Sequence, residues 1–159
     1  MLDRRTRAHL ERELDQLERL VRDYRAVLDI PEDGEPGLIE RTALGAVLQS
    51  FYTGVENIFQ TVAKRVDEEM PASADWHRKL LAQMAQGGAT RPPLISSLTA
   101  DRLEPYLGFR HLVRHAYSFT LEWSRMSGLV RDLSSVWEQF QTEVRAFLDQ
   151  QVDLKDQDA

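Results

Sequence analysis

The stretch LGAVLQSFYTGVENIFQTVAKRV, residues 44–66, decides the fold. Leu44, Leu48, Phe51, Val55, Ile58, Val62 and Val66 recur at steps of four and three. That spacing puts them on one face of an α-helix and does not fit the alternation of a strand. It predicts a long helix over roughly residues 38–70. On its N-terminal side, Leu10, Leu14, Leu17, Val21, Tyr24 and Leu28 form the same seam, predicting one helix over 3–29. The linker Pro31-Glu32-Asp33-Gly34-Glu35-Pro36-Gly37 separates the two.

On its C-terminal side, Trp76, Leu80 and Met84 mark a shorter helix after the cap-like Ser73. Gly87-Gly88 and Arg91-Pro92-Pro93 bracket a second loop. Leu112, Ala116, Phe119, Trp123 and Met126 read as the apolar stripe of a fourth helix, with Pro105 just before it, where a helix start tolerates proline. Leu133, Val136, Phe140, Val144 and Phe147 define a fifth. Gly128 marks the break between the last two, although the spacing also runs through it. The reading is an all-α antiparallel bundle of about five helices, one domain over residues 1–152 with an acidic, frayed tail at 153–159. The first helix packs inside this bundle or seeds a coiled-coil dimer.

Composition narrows the function classes. The chain has 159 residues, no cysteine and a net charge of −6. Disulfides and thiolate metal sites are excluded, and a reducing, cytoplasmic setting fits. No apolar run approaches the roughly 20 residues of a membrane span. The basic N-terminus, Met1 to Arg7, lacks the apolar stretch of a signal peptide. An acidic protein is a poor non-specific binder of nucleic acid. Residues 91–131, however, hold six Arg against three acids, and a basic pocket there could hold one phosphodiester.

That section contains Phe109-Arg110-His111-Leu112-Val113-Arg114-His115-Ala116-Tyr117, with two of the four His of the chain. Near pH 7 a His can take or give a proton, and an Arg can brace a phosphate. On a wheel of about 100° per residue, Arg110 and Tyr117 lie within about 20° of each other with Arg114 on the same side, opposite the apolar stripe of Leu112, Phe119 and Trp123. His115 falls elsewhere, near the edge of the apolar face. An ideal helix therefore does not bring Arg110 and His115 together, and a two-fold dimer could supply the missing group. Such a set suffices for metal-free RNA cleavage, in which the 2′-hydroxyl is the internal nucleophile. The same residues also fit a solvated polar helix face. His111 and His115 have the i, i+4 spacing of metal ligands, but further ligands and a His-Glu-x2-His arrangement are missing.

Other residues read more plainly. His77, after Trp76, suits a helix-start packing or capping residue better than a catalytic one. Glu56 is either a surface acid or a buried partner for an Arg of the motif helix. Trp123 and Phe119 belong to the core, and His9 to the surface.

Arg110, the polar follower His111 and His115 match the Arg-x4–6-His signature of the HEPN superfamily. With Tyr117 they fill the longer Arg-x4-His-x-Tyr form of HepT-type toxins. Gly54-Val55-Glu56-Asn57-Ile58-Phe59 in the second helix and Trp76-His77-Arg78-Lys79-Leu80-Leu81 opening the third also resemble HepT-like proteins, and the resemblance spans roughly residues 5–150. It implies a metal-independent ribonuclease toxin of a toxin–antitoxin pair, needing no cofactor and acting as a homodimer whose paired motif helices line one cleft. It implies His115 as the acid/base group and Arg110 as the group that holds the phosphate. His111 reads as the polar follower that orients the site, and Arg114 as either a further phosphate contact or a surface charge. It further implies a nucleotidyltransferase antitoxin that adds AMP to Tyr117, placing bulk and negative charge beside Arg110. The contrasting expectation is a non-catalytic helical scaffold partnering a nucleotidyltransferase. The first helix and its linker exceed a minimal HEPN core.

Overall fold

The computed structural model describes residues 2–31, 33–114 and 121–157, with side chains described to Gln151. His115, Tyr117, Ala116 and Phe119, which carried expectations above, lie outside the described residues. The described chain is helical, with no strand among its elements: α1 Arg4–Asp23, α2 Arg25–Leu28, α3 Leu38–Val62, α4 Trp76–Ala85, α5 Ser97–Arg114 and α6 Trp123–Gln157. The all-α expectation holds, with six helices for about five.

The helix α3 is the axis of the bundle, touching α1, α4, α5 and α6. Its predicted seam is buried at every position, and so are Val47, Tyr52, Glu56 and Phe59. A helix apolar almost all round belongs in the interior. Two glycines let neighbours come close. A Cβ on Gly54 would stand 2.5 Å from Leu17 Cδ2 and 2.9 Å from its Cγ, and one on Gly45 would stand 2.9 Å from Leu121 Cδ1.

The boundaries differ from the sequence reading in several places. The first helix is interrupted at Tyr24, which is exposed, not part of the seam. Nothing about a Tyr forbids helix; the one-residue break lets α2 set Leu28 into the core and pack against α6. The second helix stops short of 70. It widens into a π turn at Ala63–Asp67, then ends at Glu68 in the left-handed region (φ 54°), with Glu69 N–H reaching back to Ala63 O. Ser73 is not the cap of α4: its carbonyl accepts from Trp76 N–H, while its hydroxyl donates to Asp75.

The largest difference concerns the motif helix. α5 starts at Ser97, and Pro105 lies inside it. The signal for this start is Ser96, whose Oγ accepts from Thr99 N–H at 3.1 Å. Pro105 is tolerated because it and Asp101, whose carbonyl loses its partner, are both exposed. Trp123 and Met126 belong to the next helix, and Gly128 falls within α6 and breaks nothing. The helix α6 is described to Gln157.

A side-chain staple secures the loop before α5. Arg91 is buried and donates to both carboxylate oxygens of Asp67 (2.6 and 2.8 Å), to the carbonyls of Gln83, Gln86 and Pro92, and so ties the end of the π turn to residues 83–92. Burial pushes the Asp67 carboxyl up, but the hydrogen bonds from Arg91 and Gln83 outweigh it and hold the group below its ordinary value.

The close approach at Gly54 makes a testable demand. Gly54→Ala removes a helix-weakening glycine, yet its methyl overlaps the branch point of Leu17, which no rotation of the methyls relieves. We expect Gly54→Ala to lower stability by about 1–3 kcal/mol in urea denaturation followed by tryptophan fluorescence. Gly88→Ala, with open space around the added carbon, should change it far less.

Candidate active site

The buried face of α5 is set by its true start. Thr99, Leu103, Tyr106, Leu107 and Arg110 are buried, at spacings of three and four. Arg110 therefore continues the core stripe. Leu112, expected on the apolar face, is 39% exposed. The wheel placing Arg110 opposite the apolar stripe is overturned, because that stripe was drawn from residues beyond the described part of α5 and from α6.

A guanidinium only 3% exposed needs a counter-charge, and α3 provides it. Arg110 Nη2 donates to Glu56 Oε1 at 2.9 Å and to Oε2 at 2.8 Å. Glu56 is itself 4% exposed. Of the two readings of Glu56, the buried partner of the motif arginine is the one realised. Below the pair, the Arg110 guanidinium carbon lies 4.8 Å from the centre of the Tyr52 ring. The Tyr52 hydroxyl is buried without a hydrogen-bond partner among the described residues. Burial, and then the charge of Glu56, push that phenol well above its ordinary pKa, so it stays neutral.

A third residue completes the cluster. His77, in the first turn of α4, places Nδ1 2.8 Å from Glu56 Oε2 and 3.1 Å from Arg110 Nη2. Both cannot be hydrogen bonds through one nitrogen. A carboxylate only accepts and a guanidinium only donates. The shorter approach, to a carboxylate already receiving the Arg110 donor, requires the hydrogen on Nδ1. Arg110 Nη2 is then a close neighbour of Nδ1 and not its donor. The imidazole also stacks on Trp76, with ring centres 3.6 Å apart. Arg78, the next residue, pairs with Glu104 of α5 and closes α4 onto the motif helix.

The other predicted site residues separate from Arg110. His111 and Arg114 are exposed at the described end of α5, while Arg110 points inward. His115 and Tyr117 lie outside the described residues. Among the described residues no group of three His, Cys, Asp or Glu converges to hold a metal, and no helix is long and apolar enough to cross a membrane.

The cluster joins Arg110 of the motif to two residues, Glu56 and His77, that flank it in space from separate helices. A family model described as HepT-like protein matches residues 43–151. The chain belongs to that family, within the HEPN superfamily. No curated protein and no solved structure matches it. The matched span of this HepT-like protein begins inside α3 and ends in α6, so it contains Glu56, His77 and the whole Arg-x4-His-x-Tyr motif. It leaves out α1, α2 and the linker, a shorter extent than residues 5–150.

His77 was the residue sequence reading undervalued. Nothing in Trp76-His77-Arg78 says that the first turn of α4 abuts the middle of α3. Glu56 did carry a signal. It is the one acid in the largely apolar run 44–66, and an acid buried there has to find a partner.

The pair is expected to behave as a coupled unit. Glu56→Leu or Arg110→Leu alone strands a buried charge and should cost about 3–5 kcal/mol, whereas the two together should regain most of that loss. Denaturant titration of the four proteins measures the coupling; additive single effects would mean that the two charges do not meet.

Proposed function

We propose that this HepT-like protein is a metal-independent ribonuclease toxin of a toxin–antitoxin pair. The observation that carries the reading is the state of Arg110. It is not a solvated charge on a polar helix face but is held in place by Glu56, beside the His77 ring. Among the described residues its hydrogen bonds to Glu56 run through Nη2, and a guanidinium has further donors on Nη1 and Nε that can brace a phosphate. Cleavage needs an internal 2′-hydroxyl nucleophile, groups that move protons, and a cation that stabilises charge building on the phosphorus oxygens. Arg110 is that cation and His115 a proton-transfer group. His111 and Arg114, exposed at the end of α5, extend the basic surface along the RNA. Two protomers related by a two-fold axis bring their motif helices together and complete the cleft. The partner is an antitoxin nucleotidyltransferase, and Tyr117 is the site at which it adds AMP. The reaction takes place in the cytoplasm.

One observation favours a second reading. With 3% exposure and a carboxylate already on it, Arg110 is also what a purely structural ion pair would look like. In that reading the protein is a helical scaffold for a nucleotidyltransferase and cleaves nothing.

The two readings part on activity. The purified protein should cut RNA in EDTA, run as a dimer in light scattering, and lose cleavage by about 10²–10⁴-fold with His115→Ala while staying folded. Intact RNA under all these conditions, with no toxicity on expression alone, would establish the scaffold. Co-expression with the neighbouring nucleotidyltransferase should add adenylyl mass to the chain, and Tyr117→Phe should abolish it; a bound but unmodified chain would point to steric cover.

A further inference from the structure

Cleavage through a 2′-hydroxyl requires two proton transfers. One removes the hydroxyl proton as the oxygen attacks phosphorus; the other supplies a proton to the departing 5′-oxygen. The motif offers His115 for one of these transfers, and His111 is exposed while Arg110 beside it is buried. The described structure contains a second histidine beside the motif arginine, and its environment is that of an oriented base.

Three features define it. Glu56 Oε2 receives the Nδ1 hydrogen of His77 at 2.8 Å, which fixes the tautomer and leaves the lone pair of the neutral ring on Nε2. The two nitrogens of an imidazole point in divergent directions, so Nε2 is turned away from the buried carboxylate. The side chain keeps 25% of its surface exposed, whereas Glu56 keeps 6%, so the free edge of the ring is the one that solvent or a substrate can reach. The ring is clamped against rotation by Trp76 on its face. A carboxylate that orients a histidine whose far nitrogen is free is the arrangement that makes an imidazole a positioned general base. The charged groups against it are Glu56 from α3 and Arg110 from α5, and Tyr52 lies beneath Arg110.

We infer that His77 is a second catalytic residue of the site, the general base that takes the 2′-hydroxyl proton at Nε2, with Glu56 as the residue that orients it. This rests on the ribonuclease reading above. The 2′-oxygen gives its proton to Nε2 and forms a bond to phosphorus; the bond from phosphorus to the 5′-oxygen breaks, and that oxygen takes a proton from the imidazolium of His115. The products are a 2′,3′-cyclic phosphate and a 5′-hydroxyl. Arg110, whose Nη2 lies 3.1 Å from the His77 ring, braces the phosphate.

The test uses the full-length dimer, a short fluorescent RNA and EDTA. His77→Asn keeps a donor where Nδ1 stands, and so keeps the Glu56 bond, but has nothing in place of Nε2. It should stay folded and lose about 10²–10⁴-fold in cleavage rate. His77→Ala should lose a similar factor and recover part of it with added imidazole. An RNA with sulfur in place of the leaving 5′-oxygen needs no acid, so it should restore much of the rate of His115→Ala and little of that of His77→Asn. If the wild type cleaves RNA and His77→Asn cleaves it as fast, or if the sulfur substrate rescues both variants alike, His77 is not the base and the ribonuclease reading stands without it. If the wild type cleaves no RNA at all, both readings fall together.

Discussion

A carboxylate on the buried face of the central helix cannot stay unpaired, and the arrangement of α3, α4 and α5 follows from how Glu56 is satisfied. Arg110 takes it from α5 and His77 from α4. Apolar side chains would let these helices slide by a fraction of a turn at modest cost, since hydrophobic burial has no direction. Hydrogen bonds between ionised groups allow no such slip. The cluster thus fixes the register of three helices at the point where the motif arginine sits. The Arg91–Asp67 staple does the same for the loop that leads from α4 into α5.

Much of the bundle was readable from periodicity. The seams of α1 and α3 and the stripe of α6 are buried as their spacing requires, from Leu10 to Val21, Leu44 to Val66 and Leu133 to Phe147. These are long, regular and apolar, and the signal is local. What failed was local punctuation. Pro105 and Gly128 were read as boundaries because each weakens a helix. Both lie inside one, where neighbouring turns and tertiary packing outweigh a cost of a few kcal/mol. The misplaced start of α5 left Leu103, Tyr106 and Leu107 off the wheel, and with them the sense of Arg110. A buried arginine looks, in sequence, like any other arginine until the phase of its helix is known.

The site was legible in part for the same reason. The motif pattern needs only a string of residues, so Arg110 could be singled out. His77 needs a contact between residues 21 positions apart, and Glu56 to Arg110 spans 54. Contacts of that range are products of topology. The composition of residues 44–66 nonetheless announced one of them, since a single acid in an apolar run is a demand for a partner elsewhere in the chain.

The placement of Arg110 on the core stripe has a consequence for how such a motif changes over time. Either member of the pair, removed alone, leaves a stranded charge in the interior, so a lineage can discard neither in one step without losing much of the fold. A histidine in the motif is under no such constraint from this ion pair. In a relative where the motif had no chemical role, the arginine would still be kept by folding alone. Its presence is then a record of how the bundle is held together, and only the motif histidines are free of that demand.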